Sequence, residues 1–142
     1  MSLPELENCV LDHIAIAVKS IPAAKKIYED IGFKFAPEIE EVKEQKVLTA
    51  FALVDHNAYI ELLEPTSEDS TIHKFIESKG EGIHHLCFKV PDVKLKTKEL
   101  TEKGYKFIYP EPRIGAGGCI VNFIHPKSTG GVLIELSQRP KS

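Results

Sequence analysis

Cysteine is scarce: the chain has three, Cys9, Cys87 and Cys119. The count is odd and no CxxC is present, which argues against a disulfide framework. Cys87 lies in an apolar run and reads as a small buried hydrophobe rather than a nucleophile. Positive charge is not in excess either. Eighteen Lys and Arg stand against 21 Asp and Glu, a net charge of −3. The sequence therefore has no broad basic field for nucleic acid or an anionic membrane surface. No apolar run reaches the roughly 18 residues that a membrane-spanning helix needs, and no signal peptide opens the chain. The expectation is a cytoplasmic protein without nucleic-acid or membrane partners. What remains is 142 residues of ordinary globular composition, 42% hydrophobic and 27% charged, enough for one domain or for two half-domains that share a core.

The chain repeats itself. A shift of 72 residues lays "LDHIAIAV" (Leu11–Val18) on "IHHLCFKV" (Ile83–Val90), with His13 on His85. The same shift lays Ile21 on Val93, Tyr28 on Leu100, Gly32 on Gly104 and Phe35 on Phe107. "YIELLE" (Tyr59–Glu64) then meets "LIELSQ" (Leu133–Gln138) at an offset of 74, as a two-residue insertion in a loop would produce. Such self-similarity is the mark of a duplicated structural unit. Each unit reads as a strand, a helix and three strands. In the first, a strand over 11–18 leads into a helix over 21–31, with Ile21, Ala24, Ile27, Tyr28 and Ile31 at helical spacing and Gly32 as its stop. Strands follow over 33–37, 47–54 and 58–64. The second has strands over 83–90, 106–110, 119–125 and 131–137, with a helix over 93–103. "STIHKFIESKG" forms a linking helix. One domain results, with modules over about 9–66 and 82–138 and the link over about 68–80.

Strand alternation sorts the polar residues. Ile14, Ile16 and Val18 share the face that the module's helix covers, and His13, Ala15 and Ala17 share the other. His85 and Cys87 repeat this. Glu61 and Glu135 stand between apolar neighbours, in step with the histidines. A carboxylate buried without a partner is costly, so each Glu faces solvent or a polar cavity. The recurrence of the same two residue types on equivalent strands favours a cavity where two His and two Glu converge. Imidazole with carboxylate suits a divalent first-row metal, Co, Mn, Ni, Zn or Fe. The mixed set, with room for water, fits an octahedral site better than a closed structural zinc site. His84 points away from His85 and reads as structural; His56 and His73 read as turn and helix-surface residues.

The stretches "LDHIAIAV", "YIELLEP", "GIHHLCFKV", "EPRIGAGG" and "NFIHPKSTGGVLIEL" cover nearly the whole chain. They resemble the vicinal oxygen chelate superfamily, α+β proteins that pair two βαβββ modules in a curved mixed β-sheet around a metal site. Within it the chain is similar to the methylmalonyl-CoA epimerases. The resemblance implies an isomerase and homodimer that interconverts the 2R and 2S thioesters by removing the C2 proton, through a metal-stabilised enolate. It places the metal ligands at His13, Glu61, His85 and Glu135. Glu135 and Glu61 become candidate proton-transfer residues, joined by Glu44 of "EVKEQKV". Some epimerases carry Gln at the place of Glu61, and some a carboxylate near that of Thr49, which cannot serve as a base. A CoA ester would lie against Gly117 and Gly118 of "GAGG" and Ser128 of "STGG", with Arg113 and Lys127 near its phosphates. The alternatives are a glyoxalase I-like lyase acting on a glutathione hemithioacetal and a non-catalytic small-molecule-binding module.

Overall fold

Ser20 and Pro22 start the first helix and Gly32 stops it. The Ser20 hydroxyl accepts the amide of Ala23, and Gly32 takes φ 127°, a backbone conformation that side chains with a Cβ rarely adopt. The helix, α1 (Ile21–Ile31), turns Ile21, Ala24 and Tyr28 onto Val18, Ala50, Ile60 and Leu62. Ile27 and Ile31, expected on the same stripe, are 60% and 67% exposed. Ile27 stands about 120° round the helix from Ile21.

The computed structural model describes residues 2–4 and 9–140. They fall into two compact units, 13–84, and 85 onward with the described residues up to Asp12. The first is built from β1 (Val10–Ala17, from His13 on), α1, β2 (Glu40–Val42), β3 (Val47–Leu53), β4 (Tyr59–Pro65) and α2 (Thr71–Lys79). Its sheet runs β2-β3-β4-β1, with β1 parallel to β4 and the other pairs antiparallel. The second is built from β5 (Gly82–Lys89, from His85 on), α3 (Val93–Glu102), β6 (Arg113–Ile114), β7 (Ile120–Ile124) and β8 (Ile134–Gln138). Its sheet runs β5-β8-β7-β6, again with only the first pair parallel. Each half is thus a βαβββ module with a mixed sheet.

The repeat extends to details. Val93 and Leu100 of α3 pack on Val90, Ile124 and Leu136, the counterparts of the first module's helix-facing core. In each module the end of the last strand reaches back to the start of the helix. Glu64 Oε1 accepts the amide of Ile21 at 2.7 Å, and Gln138 Oε1 accepts that of Val93 at 2.9 Å. The Asp92 carboxylate accepts the amide of Leu95, as Ser20 accepts that of Ala23.

Two expected strands shrink. The segment 33–37 makes one bridge, Phe35 to Ala52, and 106–110 makes one, Phe107 to Ile124. The edge strands lie further on, at β2 and β6. Pro37, Pro110 and Pro112 explain the shift, because a proline cannot donate to a ladder. Elsewhere, buried Asp12 is paired with Lys89 and Arg139. On the surface, the Lys46 ammonium, helped by the Ser67 hydroxyl, holds the Asp69 carboxyl down to about 2. Among the described residues no helix is long and apolar enough to cross a membrane.

Candidate metal and substrate site

The face of each sheet away from its helix carries a histidine, a glutamate and a small residue between them. In the first module Ala15 lies opposite Glu61 and His13 opposite Tyr59. Ala15 and Ala17 are fully buried and short, so the longer side chains on either side can lean together over them. His13 Nε2 comes to 3.8 Å from Glu61 Oε1. Tyr59 stacks on the His13 ring at 5.0 Å and 21°, and Phe51, opposite Glu61 on β3, meets Tyr59 edge-on at 5.4 Å. Tyr59, backed by Phe51, covers one face of the His13 ring and keeps water from that face.

The second module repeats this arrangement. Cys87, fully buried, takes the place of Ala15 and lies opposite Glu135. His85 Nε2 is 3.2 Å from Glu135 Oε1. Phe123, opposite Glu135 on β7, meets His85 edge-on at 5.7 Å. Tyr109 meets Phe123 edge-on, and the Arg113 guanidinium lies 3.8 Å over the Tyr109 ring. Both histidines are 7% exposed. Each module thus offers one imidazole nitrogen and one carboxylate oxygen, donors that suit a divalent metal.

The structure separates the other expected site residues. Glu44 lies on the exposed turn between β2 and β3. That turn lies beyond the row of Val47 and Pro65, four residues along β3 from the Phe51–Glu61 row. Arg113, Gly117 and Gly118 lie at one end of β7; Lys127 and Ser128 lie in a 3-10 turn at the other. Gly117 and Gly118 both take positive φ, 67° and 77°. The Ser128 hydroxyl accepts the amide of Lys106, and His125 Nδ1 accepts that of Lys127. His84 points to the other face and meets Phe75 of α2 edge-on at 5.0 Å. Thr49 is 2% exposed, and its hydroxyl donates to the carbonyl of Glu40. The aromatic frame of Phe51, Tyr59, Tyr109 and Phe123 was not foreseen. One signal for it existed: Phe51 and Phe123 are 72 residues apart, the period of the repeat.

Residues 12–123 match the family model described as the Glyoxalase/Bleomycin resistance protein/Dioxygenase superfamily. The chain is 41% identical over 129 residues to the YqjC protein of Bacillus subtilis, covering 90% of this chain and 91% of that one. It is 39% identical over 132 residues to the ethylmalonyl-CoA/methylmalonyl-CoA epimerase of Cereibacter sphaeroides, covering 90% and 96%. Among solved structures it superimposes on a Streptomyces coelicolor methylmalonyl-CoA epimerase variant in complex with 2-nitronate-propionyl-CoA. The TM-score is 0.82 at 35% identity, over 95% of this chain and all of that one. With its duplicated βαβββ modules and this likeness along nearly its full length, the chain belongs to the glyoxalase/bleomycin resistance protein/dioxygenase superfamily and, within it, to the family of the methylmalonyl-CoA epimerases, which are enzymes.

Proposed function

We propose that the protein epimerises methylmalonyl-CoA at C2, with a divalent metal held by His13, Glu61, His85 and Glu135. The observation that carries the reading is the duplicated pair, an imidazole nitrogen 3.8 Å and 3.2 Å from a carboxylate oxygen at equivalent places in the two modules. The donor set fits a first-row divalent ion such as Co, Mn, Ni or Zn: two neutral imidazoles and two carboxylates. When bound, the ion supplies Lewis acidity at the thioester carbonyl and counter-charge for the enolate.

The remaining work falls to the chain. Removal of the C2 proton requires a carboxylate within reach of one face of the substrate, and inversion requires a donor at the other. Glu135 serves the first role in this reading, with its Oε1 held 3.2 Å from His85 Nε2. Tyr59, Phe51 and Phe123 fix the imidazole rings and limit water, which strengthens every charge interaction at the site. Arg113, flattened against Tyr109, presents a fixed guanidinium suited to a phosphate or carboxylate of the CoA ester. Relatives bearing epimerase names and a neighbour holding a CoA thioester analogue support the substrate class.

The test is proton exchange at C2 of methylmalonyl-CoA in heavy water, with and without chelator. Exchange and inversion are expected with metal, and neither after exhaustive chelation. Full activity in the chelated protein overturns the metal's role. Inactivity of the metal-loaded protein on this ester, with turnover of a glutathione hemithioacetal, overturns the substrate.

A further inference from the structure

Inversion needs two groups that can take up and return a proton, and the Thr49 hydroxyl cannot serve as a base. The first module, however, places a second carboxylate on the face that carries His13 and Glu61. In β2, Glu40 lies opposite Thr49, and Thr49 lies opposite Leu63 of β4. Strand alternation makes Glu40 and Val42 share a face. The direction of that face is fixed by Val42, which packs against the cluster of Ala15, Ala17, Val47 and Leu63. These are the neighbours of His13 and Glu61 on their own side of the sheet. Glu40 therefore projects to the side of His13, and Glu41 to the other.

Three more observations bear on it. Glu40, an exposed residue, lines a cavity of about 900 Å³ together with Phe51, Tyr59 and the stretches 32–36 and 52–54, and Tyr59 is the ring stacked on His13. Among the described residues, its carboxylate has no hydrogen bond or ion pair, whereas Glu64 on β4 is committed to the amide of Ile21. The register sets Glu40 two strands and two residues from Glu61, about 10 Å across the sheet and about 7 Å along it. The Thr49 hydroxyl holds the Glu40 carbonyl at 3.2 Å, which ties this edge strand to the sheet at that residue.

We infer that Glu40 carries the proton on one face of the substrate, opposite the residue that serves the other face. This rests on the epimerase reading. The C2–H bond breaks and its proton passes to one carboxylate, while the electron pair moves into the thioester carbonyl as an enolate. The enolate carbon then takes a proton from the carboxylic acid on the other face, and the two carboxyl groups re-equilibrate with solvent. No oxidant or reductant is involved, and the atoms balance.

The experiment compares E40Q and E41Q, two charge-neutralising changes on neighbouring residues of one strand that face opposite ways. Each metal-loaded protein is given each pure epimer in heavy water, and C2 exchange and inversion are followed separately. Expected for E40Q is exchange from one epimer within about threefold of wild type, with exchange from the other and net inversion slowed by about 10²–10⁴-fold, the usual loss of a general acid or base. Metal content and melting temperature stay at the wild-type values, and E41Q behaves as wild type. Overturning results are an E40Q protein that inverts within threefold of wild type, a symmetric loss of exchange from both epimers, or an equal loss in E41Q. Absence of any exchange in the wild-type protein defeats the epimerase reading instead, which separates the two failures.

Discussion

Glu64→Ala tests whether the last strand of each module governs the start of its helix. Glu64 Oε1 is 2.7 Å from the amide of Ile21, a partly buried contact at the first residue of α1. A charge-assisted hydrogen bond contributes about 1.5–3 kcal/mol net, and the negative charge at a helix N-terminus accounts for about 0.3–1 of that. The Ser20 cap remains, and water reaches part of the freed amide, so the expected loss is about 2 kcal/mol. For a chain of this length that lowers the melting temperature by roughly 6 °C. Glu64→Gln keeps the acceptor oxygen and drops the charge, which is the arrangement at Gln138 and Val93; it should lose less than about 1 kcal/mol. Urea unfolding with an unchanged m-value measures both. Glu64 leaves β4 on the face away from Glu61, so metal content should not change. If Glu64→Ala unfolds at the wild-type urea concentration, or if the Gln and Ala variants lose equally, the capping account is wrong.

Further outcomes follow from the site and the surface. His13→Ala and His85→Ala should each lose stoichiometric metal while keeping wild-type far-UV circular dichroism; full retention of metal by both purified proteins defeats the four-ligand assignment. Glu135→Gln should still load metal at high concentration yet turn over at least about a hundredfold slower. Recovery of normal turnover with excess metal would leave Glu135 a ligand only. Asp69 should titrate near 2 by carbon-detected NMR, below its ordinary 3.8. Because its folded value is depressed, its contribution to stability is present above about pH 4 and lost as pH falls toward 2. Lys46→Met should return the midpoint to the ordinary carboxylate range; an unmoved midpoint contradicts the pairing.

What could be seen in the sequence was what the duplication doubles. His13 and His85, Glu61 and Glu135, and the two helices stand out because each has a partner at a fixed offset and a strand or helix period around it. The edge strands were hidden for a physical reason. β6 has two residues and β2 three, too few for alternation to show, and prolines interrupt the approach to each. Glu40 was hidden with β2, because its direction depends on the register against Thr49. Glu44 was expected near the site mouth, and it lies on the turn between β2 and β3, beyond the Val47–Pro65 row, four residues along β3 from the Phe51–Glu61 row. The helix stripe of α1 was overextended through Ile27 and Ile31, since periodicity gives a direction and not the width of the surface that receives it.

The ladders of β3 with β4 and of β7 with β8 keep the same register, Phe51 to Glu61 and Phe123 to Glu135. The two extra residues of the second module therefore lie entirely in the connection from β7 to β8, which carries the Pro126–Ser128 turn. An insertion of one residue inside β8 would send Glu135 to the helix side and reverse every neighbour with it. An insertion in the connection leaves His85 and Glu135 where they are. The net gain in length thus falls in one loop of the duplicated unit. That loop can be lengthened, shortened or exchanged to alter what approaches the site, by divergence or by engineering, with the His85–Glu135 pair held constant behind it.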